Sequence, residues 1–376
     1  MSQRRPLNIG IVCGEHSGDR LGSAFIKEIK KHAEVNLYGV GGPKLIELGL
    51  RPEFNFSEIN IMGLVEPLFN YRRLSSLRNS LIKLFTNQKI DYFIGIDSPD
   101  FNMGIHKALK KKHDNKNIQI VSPSVWAWRQ NRIKNINAYI DTTLCLFNFE
   151  DKFYKDCGHK SLHLGHPFAD LYKTDRDVTL HNLNLNRRKK YISICPGSRK
   201  SEIKEMLPTY IKFIKSHSKE NKEYEYLVPA VDSQTRQNLR DNFATHNLSM
   251  SEIHIEQNSM KEYLSVSELS LVTSGTATLE SAVLGCPPII CYKTNFINYA
   301  IISRMLRIKN FGLPNLLLGK KYFPELLQNQ FTKENILEAV KNTTTLKKEY
   351  KDIPDLLREL LRGIGNEQAA KEIISL

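Results

Sequence analysis

Apolar residues fall along this chain in short runs, separated by longer stretches with helical spacing. The runs Leu7–Cys13, Asp91–Ile96, Ile118–Val121, Thr143–Leu146 and Ser161–Leu164 read as strands in the first half. Tyr191–Cys195, Tyr224–Val228, Ile253–Ile255, Leu269–Val272 and Pro288–Tyr292 do so in the second. A strand that is apolar throughout suits a parallel sheet, whose two faces are both covered by helices. Helical spacing shows at Leu21, Phe25 and Ile29, and again at Leu74, Leu77, Leu81 and Leu84. The alternation predicts an α/β protein built on doubly wound parallel sheets.

The two halves open alike. Leu7–Cys13 runs into Gly14-Glu-His-Ser-Gly-Asp19 and a helix, and Tyr191–Cys195 runs into Pro196-Gly-Ser-Arg199 and a helix. Between them, Lys173–Lys190 is polar and charged, as a linker would be. The expected organisation is two Rossmann-like domains facing each other across a cleft, residues 1–172 and 173–345. Residues 346–376 are expected as C-terminal helices, open to packing back on the first domain.

Composition narrows the function classes. With 376 residues, 41% hydrophobic and 25% charged, the chain is neither disordered nor fibrous. Lys and Arg (54) outnumber Asp and Glu (40), for a net charge of +14. Such a balance suits nucleic acid, an acidic membrane surface or a phosphorylated substrate. No window holds the ~18 apolar residues of a spanning helix, nor the core of a signal peptide. The six cysteines form no CxxC pair. The expectation is a soluble cytoplasmic protein with a basic surface.

Candidate chemistry gathers where strands end, the place at which open α/β sheets bind ligands. After the first strand, Glu15, Ser17 and Asp19 suit hydroxyl binding or proton transfer, although Asp19 could simply cap a helix. Asp97, at the end of Ile94-Gly-Ile-Asp, is a carboxylate on a rigid support and the leading candidate for a general base. Ser122-Pro-Ser-Val-Trp126-Ala-Trp-Arg129 offers aromatic and guanidinium groups for a sugar or a phosphate, or else a hydrophobic plug between domains.

Two further turns form a candidate nucleotide-diphosphate cradle. Gly197, Ser198 and Arg199 open one helix, and Ser274, Gly275 and Thr276 open another. Helix N-termini and an arginine fork both favour phosphate. Glu280 lies one helical turn beyond Thr276, where a carboxylate can accept the hydroxyls of a ribose. Leu64, Val65, Leu68 and Phe69, followed by Arg72 and Arg73, read either as a membrane-contact segment or as a buried helix with a solvated face. Asp175-Arg-Asp177 lacks the strand that a metal-binding DxD motif follows, and no zinc spacing exists. Neither a metal nor a cofactor is expected.

Taken in order, Gly14-Glu-His-Ser-Gly-Asp, Ile61-Met-Gly-Leu-Val-Glu66, Gly95-Ile-Asp-Ser-Pro-Asp-Phe-Asn102, Val121–Arg129, Pro196–Arg199, Ser274–Glu280 and Leu313-Pro-Asn-Leu-Leu317 resemble the lipid-A-disaccharide synthases, membrane-associated sugar transferases of Gram-negative bacteria. The resemblance spans nearly the whole chain, and its Ser-Pro-Ser-Val-Trp-Ala-Trp-Arg run is highly specific. It implies a GT-B architecture, with the acceptor on the N-terminal domain and the UDP-sugar on the C-terminal one.

The implied reaction joins UDP-2,3-diacylglucosamine to 2,3-diacylglucosamine 1-phosphate, with inversion, to give a β-1,6-linked disaccharide 1-phosphate and UDP. Asp97 would be the base, with Glu15 and Asp19 as rivals, and Asn315 would orient donor or acceptor. A peripheral position on the inner face of the inner membrane follows, as a monomer or homodimer without a nucleic-acid partner. A UDP-sugar epimerase, a peptidoglycan-precursor transferase and a basic RNA- or membrane-binding protein remain the alternatives. Scattered Lys and Arg without interleaved aromatics speak against RNA.

Overall fold

A computed structural model describes residues 5–59, 71–127, 129–246, 248–294, 310–345 and 347–376. Leu64, Val65, Leu68 and Phe69 lie outside the described residues, as does Trp128. The chain divides into two compact units, 1–166 with 361–376, and 167–360.

In the first unit the described strands are β1 (Leu7–Cys13), β2 (Val35–Val40), β3 (Leu50–Pro52), β4 (Tyr92–Ile96), β5 (Lys116–Ile120), β6 (Thr142–Cys145) and β7 (Ser161–His163). They form one parallel sheet in the order β3-β2-β1-β4-β5-β6-β7. Ile9, Ile11 and Val12 of β1 and Phe93, Ile94 and Ile96 of β4 are fully buried. Helix His16–His32 covers the sheet with Phe25, Ile26 and Ile29, and helix Tyr71–Asn87 does so with Leu81 and Phe85.

The second unit repeats the plan with β8 (Lys190–Cys195), β9 (Tyr224–Ala230), β10 (Ile253–Gln257), β11 (Leu269–Thr273), β12 (Pro288–Tyr292) and β13 (Glu325–Leu327). Their order is β10-β9-β8-β11-β12-β13, again parallel. Ile192, Ile194, Tyr226, Leu269 and Leu271 pack on Met206, Tyr210 and Phe213 of helix Lys200–Glu220. Each unit is thus an α/β, doubly wound sheet whose strand order reverses once, between β1 and β4 in one and between β8 and β11 in the other.

Every strand read from the apolar runs exists, with ends shifted by a residue or two. Three strands escape that reading: β2, in which Asn36 and Gly39 break the apolar run, β3, which carries Arg51 and Pro52, and β13, which begins on Glu325. β3 and β13 are edge strands, where a polar residue or a proline is tolerated. Nor is Lys173–Lys190 a bare tether. Asp175 Oδ1 accepts the Val178 N–H and caps helix Arg176–Asn182, and Leu180 and Leu185 pack on Tyr191 and Tyr263.

The C-terminal stretch serves both units. Helix Ile353–Leu361 begins in the second. The chain then passes β7, where Leu361 O accepts the His166 N–H (2.9 Å) and His163 O accepts the Ile364 N–H (2.9 Å). Helix Gly365–Ile374 buries Ala369, Ala370 and Ile373 in the first unit, and the Tyr92 hydroxyl donates to Ile374 O at 3.3 Å.

Candidate functional site

In the first unit the strand order reverses between β1 and β4, which pair through Cys13 and Ile96. A crevice opens at such a reversal because the flanking connections leave toward opposite faces. The two loops read as functional from sequence, 14–19 and 97–102, are the ones that leave these strands. Burial first, then the carboxylates of Asp19, Asp97 and Glu15, push the Cys13 thiol up to about 12. The three candidate bases therefore share one neighbourhood.

Their surroundings separate them. Asp19 is 2% exposed. Its Oδ2 accepts the Lys44 N–H (2.9 Å) and its Oδ1 the Leu45 N–H (3.1 Å), so it anchors the start of helix Pro43–Glu47. It does not cap its own helix, His16–His32, which Glu15 precedes as N-cap residue. Glu15 is half-buried and Ser17 exposed. Asp97 is half-buried, and burial raises its carboxyl above the ordinary range while a bond from the Ser98 N–H opposes the rise. Burial thus favours the protonated form of Asp97.

The backbone around Asp97 is unusual. Asp97 (φ +51°) and Ser98 (φ +40°) are both left-handed, and so is Val121 (φ +68°) at the end of neighbouring β5. Left-handed backbone costs an L-residue roughly 1–2 kcal/mol, and most of all a β-branched one. Buried amides hold it. Asn102 Nδ2 donates to Asp97 O at 2.8 Å, and Gln119 Nε2 lies within reach of Asp97 O (3.1 Å), Ile120 O (3.1 Å) and Val121 O (3.3 Å). Gly95 makes the room, since a Cβ there would meet Gln119 Oε1 at 2.7 Å.

Trp126 is half-buried in the loop after β5. Its ring edge meets Phe149 at 4.7 Å and its Nε1–H donates to Glu150 Oε1 at 3.1 Å. Burial pushes the Glu150 carboxyl up to about 7, although the bonds from Trp126 and the Phe147 N–H oppose the rise. Arg129 is exposed with a left-handed backbone, and Arg132 reaches Asp100 at 2.8 Å. Arg72 and Arg73 are exposed near the start of helix Tyr71–Asn87, where Arg73 donates to Glu58 O.

In the second unit the two predicted cradle loops leave adjacent strands, since β8 and β11 pair through Cys195 and Val272 at the reversal of strand order. Gly197 (φ +111°) bends the first loop, and a Cβ there would meet Glu202 Oε2 at 2.7 Å. That oxygen accepts the Ser198 N–H (3.2 Å) and the Arg199 N–H (3.3 Å), while Glu202 Oε1 pairs with Arg199 Nη1 (2.8 Å). The anion on this helix N-terminus is Glu202 itself, a carboxylate where phosphate was expected. Ser274 donates its N–H to Cys291 O. Gly275 is the N-cap residue of helix Thr276–Val283 and has no side chain to cap it with, and Glu280 is half-buried on that helix.

Asn315, expected to orient donor or acceptor, lies at the start of helix Leu313–Leu317. It is fully buried. Its Nδ2 donates to Phe323 O (2.8 Å) and Glu325 Oε1 (2.9 Å), and its Oδ1 accepts the Tyr322 and Phe323 N–H groups. The side chain is spent on shaping residues 310–325, with Glu325 also holding the Phe311 and Gly312 N–H groups.

Sequence reading missed Gln119, His106, Glu150, Glu202 and Glu325. Gln119 had a signal, being a long polar residue inside the apolar run Ile118–Val121 of a strand covered on both faces.

With this geometry in hand, comparison with known proteins gives a consistent result. A family model described as lipid-A-disaccharide synthetase matches residues 9–373. The lipid-A-disaccharide synthase of Acinetobacter baylyi is 33% identical over 98% of this chain and 97% of its own length. That of Colwellia psychrerythraea is 36% identical over 97% and 94%. Among solved structures, UDP-GlcNAc 2-epimerase from Neisseria meningitidis bound to UDP-GlcNAc aligns with a TM-score of 0.58 at 13% identity, over 99% of each chain. The glycotransferase of kitacinnamycin aligns at 0.61 and 11% identity, also over 99% of each. At such identities the likeness shows the fold, which is GT-B.

Proposed function

Since the chain belongs to the lipid-A-disaccharide synthase family, and is thereby a glycosyltransferase of lipid A disaccharide synthesis, we propose the following substrates and mechanism. The enzyme transfers 2,3-diacylglucosamine from UDP-2,3-diacylglucosamine to the 6-hydroxyl of 2,3-diacylglucosamine 1-phosphate. The observation that carries this reading is the position of Asp97, a carboxylate of raised pKa on the loop beside the strand-order reversal of the first unit.

The step is one in-line displacement. Asp97 takes the proton of the acceptor hydroxyl, the oxygen bonds to the donor anomeric carbon, and the bond from that carbon to UDP breaks with inversion. Glu15 and Ser17 line the same crevice and bind acceptor hydroxyls. UDP sits on the second unit, where Arg199, the N–H groups of Ser198 and Arg199 and the N-terminus at Gly275 and Thr276 meet its charge. Glu280 takes the ribose, and the diphosphate displaces Glu202 from the amides. Trp126, Arg129, Arg72 and Arg73 belong to the acceptor and membrane-contact side. No described helix is long and apolar enough to cross a membrane. The net charge of +14 supports a peripheral contact with an anionic inner-membrane surface.

The test is UDP release from donor plus acceptor in detergent micelles, with donor alone as control. Release that depends on both substrates is expected. Asp97→Asn should lower kcat by about 100-fold or more and leave UDP affinity unchanged. A folded protein that binds UDP and makes no disaccharide would overturn the substrate assignment, and near-normal turnover by Asp97→Asn would overturn the base.

A further inference from the structure

Beneath the left-handed elbow at Asp97 lies a buried chain of amides and an imidazole that the reaction as written does not use. Gln119 is 1% exposed, and Asn102 and His106 are fully buried. Gln119 Nε2 faces three carbonyl oxygens, those of Asp97, Ile120 and Val121. This fixes which way round the amide sits, because only its nitrogen can donate. Gln119 Oε1 must then accept, and the atom facing it is His106 Nε2 at 3.1 Å. His106 therefore carries its proton on Nε2. Burial lowers its pKa to about 4, so it stays neutral, in one tautomer, at working pH.

The arrangement ties two strand ends together. The Asp97 N–H donates to Ile120 O (3.0 Å), while Gln119 and Asn102 both donate to Asp97 O. Asp97 and Val121, the residues that leave β4 and β5, are thus held in left-handed backbone from the same point. Polar groups this deep are costly unless partnered. Here His106 Nδ1 and Asn102 Oδ1 find no partner among the described residues, so burying the set is not explained by mutual satisfaction alone. Strained residues held by such an over-determined shell mark sites where direction matters.

We propose that Gln119, oriented by His106, is a positioning residue that aims the Asp97 carboxylate; the inference rests on Asp97 being the base. Gln119 touches no substrate. It fixes the carbonyl and φ of Asp97, and with them the line along which the carboxylate meets the acceptor hydroxyl. A misdirected base lowers kcat and leaves donor binding alone.

The experiment compares wild type, Gln119→Met and Asp97→Asn in the micelle assay, with kcat against pH, donor KM and melting temperature for each. Gln119→Met should lose roughly 10- to 100-fold in kcat with donor KM within about 2-fold. Its acid limb should move to lower pH by about half a unit or more as the released Asp97 reaches water. Glu15 and Asp19 are unaltered in this variant, and repeating the profile in a Glu150→Gln background removes the other carboxyl that burial raises toward neutrality, so a shift that persists there reports Asp97. If Gln119→Met melts early yet keeps wild-type kcat and acid limb, Gln119 is merely structural and the proposal is overturned, with the base intact. If Asp97→Asn turns over normally, the base assignment itself has failed. Should Gln119→Met not fold, His106→Phe keeps Gln119 but removes its orienting donor. It should show the same downward shift of the acid limb, and an unmoved limb would overturn the proposal.

Discussion

Glu202 makes a quantitative claim about donor binding. Its carboxylate lies on the Ser198 and Arg199 amides at 3.2 and 3.3 Å and pairs with the Arg199 guanidinium at 2.8 Å. A diphosphate seated on those amides must push a like charge aside. The Arg199 side chain is 54% exposed, so the ion pair itself is worth at most about 1 kcal/mol. A unit charge left roughly 5 Å from a phosphate, at water-like dielectric, repels it by about 1 kcal/mol. Glu202→Gln keeps the shape and an acceptor oxygen but removes the charge. UDP should bind about 5-fold tighter, with the gain shrinking at high salt. The same change weakens the helix N-terminus by about 0.5–1 kcal/mol, so melting temperature should fall while affinity rises. Titration calorimetry with UDP at low and high salt, beside thermal melts, reads both. Unchanged or weaker UDP binding by a folded Glu202→Gln would refute the idea that the diphosphate competes for these amides.

Two further outcomes follow from buried groups. Asn315→Ala strands the Tyr322 and Phe323 N–H groups and unties Glu325, which should cost about 3 kcal/mol in chemical denaturation; a change within about 0.5 kcal/mol would deny Asn315 its structural role. Glu150 releases its proton near its ordinary 4.5 when unfolded and only near about 7 when folded. Between these values the folded state binds more protons, so stability falls as pH rises through the window, by on the order of 3 kcal/mol, and levels off above it. Glu150→Gln should remove that decline in melts from pH 4.5 to 8, and an equal decline in the variant would show that another group causes it.

Much of this was legible in the sequence because burial on both faces writes itself as apolar runs. β1, β4, β8 and β11 are such runs, and the loops after them are where chemistry was expected. Edge strands such as Leu50-Arg-Pro carry no such mark, because one side of their ladder lacks a partner strand. Within the sites, the residue types were readable and their partners were not. Asp19 looked like a cap for its own helix and caps another, 25 residues away in sequence. Asn315 lay in a motif and faces inward, because its partners arrive from residues 322–325. Gln119 and His106 meet only once the helix Pro99–Lys110 is laid on β5, a pairing that no local spacing encodes.

The passage of residues 361–376 along β7 and onto the first sheet bears on how this chain is made. Residues 167–360 are complete before the polymer that finishes the first unit has been synthesised. On a ribosome, the second unit can close over its core while the first still lacks the helix that buries Ala369, Ala370 and Ile373. Of the two units, the one whose sheet is made first is thus the last to be sealed. Until then its uncovered apolar surface is a liability for the nascent chain, and one that a chaperone can shield.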